Sequence, residues 1–593
     1  MKARTKQSRF CQWMAATAIL LGLAILMPGG AEAQCPLLNR PRPDFNGDCI
    51  ADVAVGAPNQ TRGTYLRAGT VQVIYGTAAG LAAAGTQVFG AENCRLSQDG
   101  AITGTGSGMG FGSVLAWGDY NGDRIDDLAL GMPNYNPPYP LGGMPEAGMV
   151  YVVFGSRAGL NLNSAQHFVS TNLGNSDGTR QFGGVIPTLN VNQNTFDRFG
   201  HALASGDFNG DAVDDLAIGT PGEEGWDGVS QIEDAGDVYV LYGRRAGLSS
   251  TSRGGHDGFG RGLDAATAQG WSLNGKNHYW YDLQVPPEAN DRFGSALAAG
   301  DFNGDGRADL AIGAPGKAGG TGSVSVIYGS LAGLHPLAAT PNGVVPSQLW
   351  HQDVAVPAAI EGVRAPGEWF GVALAAGDFN GDGRADLAVG VPRATVGGAV
   401  QAGEVNVIYG SPTGLNPAFV GLPADQIWSQ SSAGILDDGV LGGEMFGYAV
   451  AAGDFNADGR ADLAIGAPYD SPGNVTSSGA VNIIYGSAAG LTAAGNQYWH
   501  QDSAGIQDAN TPHQNFGRFL AAGNFNFNPN APVYAADLAV GTPSEVVGGM
   551  VGAGAVNVLY GTAGAGLSAV GNQFMHQNNS GEVAQVDDGF GSL

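Results

Sequence analysis

The chain has 593 residues, among them 99 glycines and 30 prolines, with only 13% charged positions. Its 53 acidic against 26 basic residues give a formal charge of −27, a surface that repels phosphate backbones and excludes nucleic acid as a partner. Glycine at this level without a three-residue period is not collagen, and apolar runs return regularly between the glycines, which excludes a disordered chain.

The first expected element is a targeting segment over 1–33. Lys2, Arg4, Lys6 and Arg9 form a basic start, 15–27 is an apolar run too short to span a bilayer, and Ala31-Glu32-Ala33 is a small-x-small cleavage site. No later run is long and apolar enough for a membrane span, so the expected product is exported: secreted, periplasmic or at the cell surface. Cys11 leaves with this segment. One disulfide among Cys35, Cys49 and Cys94 suits that compartment, with the pairing left open, and no two of them have zinc-ligand spacing.

From residue 44 onward one unit recurs. It runs Phe-Gly, an apolar strand ending in Ala-x-Gly-Asp-Phe, an acidic loop, and Asp-Leu-Ala-(Val/Ile)-Gly-x-Pro. A variable connection follows, then Gly-x-Val-x-Val-(Ile/Leu)-Tyr-Gly, an Ala-Gly-Leu turn and a last strand of the type Asn-Gln-x-Trp-His-Gln. The acidic loops begin at Asp44, Asp119, Asp207, Asp301, Asp378, Asp454 and, degenerately, Asn524. Each unit predicts four short strands whose two central members are apolar on both faces. Such a sheet cannot cover itself, and stacking identical sheets in a ring does. Helical repeats are excluded, because Gly and Pro interrupt every stretch. The expected fold is all-β: a seven-bladed β-propeller over 34–593. The first unit lacks a Phe-Gly strand, and Phe590-Gly591-Ser592-Leu593 supplies it, so the C-terminal strand is expected to pair with the first blade and close the ring.

The pattern resembles the FG-GAP repeats of the integrin alpha-subunit head. Phe-Gly stands at Phe111, Phe199, Phe293, Phe370, Phe446 and Phe516, and Gly-Ala-Pro at Gly56, Gly313 and Gly466. The resemblance implies a non-enzymatic adhesion or recognition module. The chain departs from an integrin alpha chain in lacking a stalk, a membrane helix and an inserted Asp-x-Ser-x-Ser domain. Two alternatives stand beside this reading. One is a secreted hydrolase using the propeller pocket on polysaccharide or phosphoester substrates; the other is a structural surface or matrix component.

The acidic loops carry the sharpest chemistry. Six place side-chain oxygens at the first, third, fifth and ninth positions. These are Asp44, Asn46, Asp48 and Asp52; Asp119, Asn121, Asp123 and Asp127; Asp207, Asn209, Asp211 and Asp215; Asp301, Asn303, Asp305 and Asp309; Asp378, Asn380, Asp382 and Asp386; and Asp454, Asn456, Asp458 and Asp462. A main-chain carbonyl is available at the seventh, as at Arg307, Arg384 and Arg460. This is hard-cation spacing like a shortened EF-hand loop, without a soft ligand, and it predicts about five or six calcium ions. Asx turns alone would need the same residue types, but six recurrences of the full oxygen pattern favour a metal. The sixth position is Gly306, Gly383 and Gly459 in the later loops. Cys49, Arg124 and Ala212 hold it earlier, and these side chains are expected to resist a left-handed backbone and bend those loops differently.

Three other signals weigh less. Gly174-Asn175-Ser176-Asp177-Gly178 matches a nucleophile-elbow string without the strand and helix it needs. Trp350-His351 and Trp499-His500 recur at one place in the repeat, which marks framework rather than a catalytic pair. Asn59, Asn474 and Asn578 head glycosylation sequons.

Alternating strand directions put the acidic loops and the Ala-Gly-Leu turns on one uniform face and the other connections on a variable face. A protein or glycan partner is expected on the variable face, where Trp226, Trp271, Trp280 and Tyr281 are placed on long loops.

Overall fold

The computed structural model describes residues 42–93, 108–136, 146–168, 196–226, 230–245, 264–273, 281–283, 285–335, 345–352, 360–526, 534–579 and 581–593. The targeting segment, the 174–178 string and Trp280 lie outside them.

The fold is a seven-bladed β-propeller of antiparallel sheets. Five blades are four-stranded antiparallel sheets counted from the axis outward, as in the fourth: Ala296–Gly300, Asp309–Ala314, Ser323–Ile327 and Gln348–Trp350. The second and third strands are buried at every residue. Both of their faces meet neighbouring blades, so the sequence runs apolar without alternation. The hydrophobic clusters accordingly lie between blades. One joins Val324 and Val326 of the fourth to Leu387 and Val389 of the fifth.

Glycine permits the closest approach. A Cβ on Gly313 would stand 2.0 Å from the carbonyl oxygen of Gly371 in the next blade, so the Gly-Ala-Pro and Phe-Gly elements meet backbone to backbone. A polar latch repeats alongside. The Tyr328 hydroxyl donates to Gln348 Oε1 and accepts from the Leu415 N–H of the following blade at 2.9 Å, while Gln348 Nε2 donates to the Leu415 carbonyl at 3.0 Å. Phe154 replaces this tyrosine in the second blade.

The ring closes as the sequence predicts. Gly591 donates its N–H to the Gly56 carbonyl at 3.0 Å, and Gly56 donates to that of Ser592 at 2.7 Å. Gly294 makes the same 3.0 Å bond to Gly313 inside the fourth blade. The Tyr560 hydroxyl of the last blade accepts from Leu81 of the first at 3.4 Å.

Two expectations are corrected. Cys49, Arg124 and Ala212 adopt φ of 73°, 72° and 62°, so the early loops take the same left-handed turn as Gly306 at 86°. The turn is enforced by the first aspartate of each loop, which receives the N–H of this residue whatever its side chain: Cys49 at 3.0 Å, Arg124 and Ala212 at 2.8 Å. Trp271 is not on a loop. It lies fully buried in the strand Asp264–Ser272, the outer member of the third blade's main meander, with Tyr281–Asp282 added in parallel beyond it. Trp226 sits in a two-residue strand paired with Gln231–Ile232. Cys49 is disulfide-bonded, and its partner lies outside the described residues.

Candidate functional site

Each acidic loop is wound around its first and ninth side chains. Asp301 Oδ1 accepts the N–H groups of Gly304 at 2.7 Å and Asp305 at 3.0 Å, and its Oδ2 accepts that of Gly306 at 2.8 Å. Asn303 Oδ1 accepts from Asp305 at 2.8 Å and Asp305 Oδ1 from Arg307 at 3.0 Å. The ninth residue, Asp309, staples the loop to the blade: its oxygens accept from Phe302 and from Gly329, both at 2.8 Å. This pattern recurs in loops 378–386 and 454–462, apart from one contact at the alanine-bearing fourth position of the latter. The degenerate loop keeps the staple, with Asp537 accepting from Phe525 at 2.7 Å and Gly561 at 2.8 Å.

All the ninth-position aspartates, Asp52, Asp127, Asp215, Asp309, Asp386, Asp462 and Asp537, are fully buried. Burial, with the first and fifth carboxylates close by, pushes Asp309 well above the usual carboxyl range and Asp462 up to about 7. Asp52 is pushed up to about 8 and Asp215 to about 9 for the same reasons. The basic seventh residue reaches only the fifth: Arg307 Nη1 stands 3.2 Å from Asp305 Oδ2, and Arg384 3.1 Å from Asp382.

The loops also hold one another. The Ala308 N–H donates to the Asp207 carbonyl at 2.9 Å, Ala385 to Asp301 at 2.9 Å, and Ala461 to Asp378 at 2.9 Å. The Ala51 N–H donates to the Asn524 carbonyl at 3.1 Å and completes the chain of contacts around the axis.

At the axis a cavity of about 520 Å³ is lined by small and apolar residues, many of them on inner strands, such as Ala116, Ala204, Ala299, Ala451 and Leu520. One sector breaks the repeat. Trp117 and Ser205 stand where other inner strands carry Ala299, Ala376, Ala452 and Ala522, and Asp126 and Asp214 replace the alanine at the eighth loop position. Arg42 reaches into this sector, donating to Asp126 Oδ1 at 2.7 Å and to Asp214 Oδ2, with its guanidinium 5.0 Å from the centre of the Trp117 ring. The Tyr120 hydroxyl, in place of the Phe of other loops, lies 2.6 Å from Ser205 Oγ. Sequence reasoning passed over this group. Its signal is a set of exceptions to the repeat, Trp117 and Ser205 in the inner strands and Asp126 and Asp214 in the loops, at positions that are otherwise alanine.

The FG-GAP repeat model matches residues 111–153, 199–241, 293–327, 370–408 and 446–483. Phosphatidylinositol-glycan-specific phospholipase D of Rattus norvegicus is 38% identical over 144 residues, 24% of this chain and 16% of that protein. The Dictyostelium discoideum protein of the same name is 30% identical over 44% of this chain and 24% of its own length. Integrin alpha-PS2 of Drosophila melanogaster is 30% identical over 42% and 15%. Each match therefore spans a quarter or less of the relative. The solved rhamnogalacturonan lyase PL11 of Bacillus licheniformis aligns at 11% identity over 86% of this chain and 67% of that one, with a TM-score of 0.30, too loose to bear on fold or chemistry.

These relatives correct one expectation. A chain without enzymatic activity followed from the integrin resemblance alone. Five of the similar proteins, at 30–38% identity, are named as a phospholipase D, so kinship no longer sets this chain apart from enzymes. With five repeats matched and the first and last blades built to the same plan, the chain is an FG-GAP repeat protein.

Proposed function

We propose that the chain is a secreted, calcium-loaded propeller that serves the hydrolysis of a phosphoester or polysaccharide substrate, holding it at the central cavity. The observation that carries this reading is the sector where the repeat is broken. A symmetric scaffold has no need of Arg42, Trp117, Ser205 and Asp214 at positions that alanine fills elsewhere. The half-exposed Trp117 ring offers a stacking face to a sugar, and the Arg42 guanidinium offers a fork to an anionic ester oxygen. Kinship with proteins named as a phospholipase D supports the same class of substrate. Secretion rests on the targeting segment at 1–33.

Calcium is supported by the donor chemistry of the loops. The set is all oxygen, the ninth carboxyl is buried beside two others, and among the described residues no ammonium or guanidinium is paired with that ninth carboxyl. Asp301, Asn303, Asp305, Asp309 and the Arg307 carbonyl would hold the ion, with the matching residues of five further loops. Bound there, it supplies charge neutralisation and rigidity. The loops at 119–127 and 207–215 include Asp126 and Asp214, so their order also orients Arg42.

A second reading, capture of a protein or glycan partner on the variable face, is favoured by one observation. Leu66, Val400, Leu441, Met550 and Val551 are exposed on connections of that face. Integrin relatives support it as well.

The full chain is tested against a panel of phosphodiesters and polysaccharides with and without chelator. We expect turnover that is lost on chelation and falls roughly tenfold in Trp117→Ala at unchanged Tm. Elemental analysis should find about five or six calcium ions per chain. Absence of turnover across the panel, with partner capture abolished by Val551→Asp, would establish the second reading instead.

A further inference from the structure

A separate group of carboxylates gathers on the variable face, opposite the acidic loops. Asp437, Asp438 and Glu444 come from the connection that leads from the fifth blade into the sixth. Asp470 comes from the connection between the sixth blade's second and third strands. Carboxylate oxygens of Asp437, Asp438 and Asp470 lie within 4.8 Å of one another. Gln430 Nε2 donates to Asp470 Oδ2 at 2.8 Å and to Asp437 Oδ1 at 3.5 Å, and the Tyr498 hydroxyl donates to Asp470 Oδ2 at 2.9 Å.

Two buried atoms in this group are left without a partner. Glu444 is 2% exposed; its Oε1 accepts from the Leu441 N–H at 2.7 Å, but its Oε2 has no hydrogen bond. Gln430 is 5% exposed, and its Oε1 is likewise unpartnered, on the same amide whose nitrogen touches two of the aspartates. Buried oxygens without donors, beside carboxylates, call for a positive charge.

The fourth blade shows what that charge looks like when the chain supplies it. Lys317 occupies the place of Asp470, four residues after the glycine of Gly-Ala-Pro, and Asp291 occupies that of Glu444, two residues before Phe-Gly. There the buried Lys317 Nζ donates to Asp291 Oδ2 at 3.0 Å and stands 3.6 Å from Glu288 Oε1. The sixth blade keeps the acid and reverses the sign of its partner. Among the described residues no lysine or arginine forms an ion pair with any of its four carboxylates.

We propose that Asp437, Asp438 and Asp470, with the Gln430 side-chain carbonyl, bind one divalent cation on the variable face, where the sixth blade carries Asp470 in place of the fourth blade's Lys317. Oxygen donors alone exclude thiophilic metals, and a crowded, irregular set of carboxylates suits calcium better than the strict octahedron of magnesium. The site is independent of the nine-residue loops.

The test uses the full chain, dialysed and then titrated with calcium chloride alone, read by calorimetry and by elemental analysis. Asp438→Ala changes an exposed side chain, and Asp470→Lys copies the fourth blade. Each is expected to remove one ion per chain or weaken it by roughly tenfold or more, with the remaining ions untouched. Asp305→Asn, in a loop, should remove a different ion, so that the losses add. If the loops prove empty, one ion sensitive to Asp438→Ala still upholds the site. Calcium stoichiometry and affinity in Asp438→Ala equal to those of the parent chain overturn it, whether or not Asp470→Lys folds.

Discussion

Glu545 is buried between the sixth and seventh blades, and both its oxygens accept from glutamine amides, Gln501 Nε2 and Gln514 Nε2, each at 2.5 Å. Burial, and then the nearby Asp508, push its carboxyl up to about 8. A folded-state value above the unfolded one means that the contribution is full below about pH 4.5 and lost as pH rises through about 8. Glu545→Gln removes that loss. Its amide can be matched by turning Gln501, whose Oε1 has no partner. The variant should be more stable than the parent by about 2 kcal/mol at pH 9, with the gap closing toward pH 5. Denaturant melts at the two pH values check this; a gap independent of pH would show that burial is not what raises the group. At this scale much was illegible in the sequence. Gln501 and Gln514 read as ordinary strand and loop residues, and the left-handed turns at Cys49, Arg124 and Ala212 ran against the propensity of their side chains.

Between neighbouring elements, the contact of Gly313 with Gly371 sets how closely blades stack. Gly313→Ala drives a methyl into a backbone carbonyl that cannot turn aside, and should cost several kcal/mol, about 3 or more. Gly383→Ala is the control. It meets nothing within 4 Å and carries only its positive φ, so it should cost about 1 kcal/mol, as the natural Ala212 suggests. Thermal melts of equal depth for both would mean that the blades can separate to admit the methyl. The Phe-Gly and Gly-Ala-Pro elements were visible in the sequence because the same backbone contact recurs from blade to blade. Trp271 was misplaced although Gln269-Gly270-Trp271 repeats the Gln-x-Trp of other outer strands such as Gln348-Leu349-Trp350, because the long stretch between Tyr242 and Phe293 set that short signal apart from its repeat.

For the whole molecule, closure rests on a few residues. Phe590 is fully buried in the cluster that joins the last blade to the first, and 591–592 pair with Gly56. Removing 590–593 exposes the Val53–Ala57 strand as an edge and empties the Phe590 site. We expect a lower Tm, by several degrees, and concentration-dependent association through the open edge. A monomeric elution profile with an unchanged melt would show that the Tyr560–Leu81 latch and the loop contacts close the ring without it.

The sequence by itself determined the repeat, the blade count, the meander of each blade, the closing strand and the oxygen spacing of the acidic loops. Each of these is written within one unit of chain, or in the return of that unit, and local hydrogen bonds and apolar burial act over the same distance. Tertiary structure decided the rest. Arg42 meets Asp126 and Asp214 across separations of 84 and 172 residues, and Asp437 and Asp438 meet Asp470 only because one blade's exit lies against the next blade's loop. A periodic reading averages over the copies, so it finds what they share. A functional group made where single copies deviate exists only once the ring has closed and brought those deviations together.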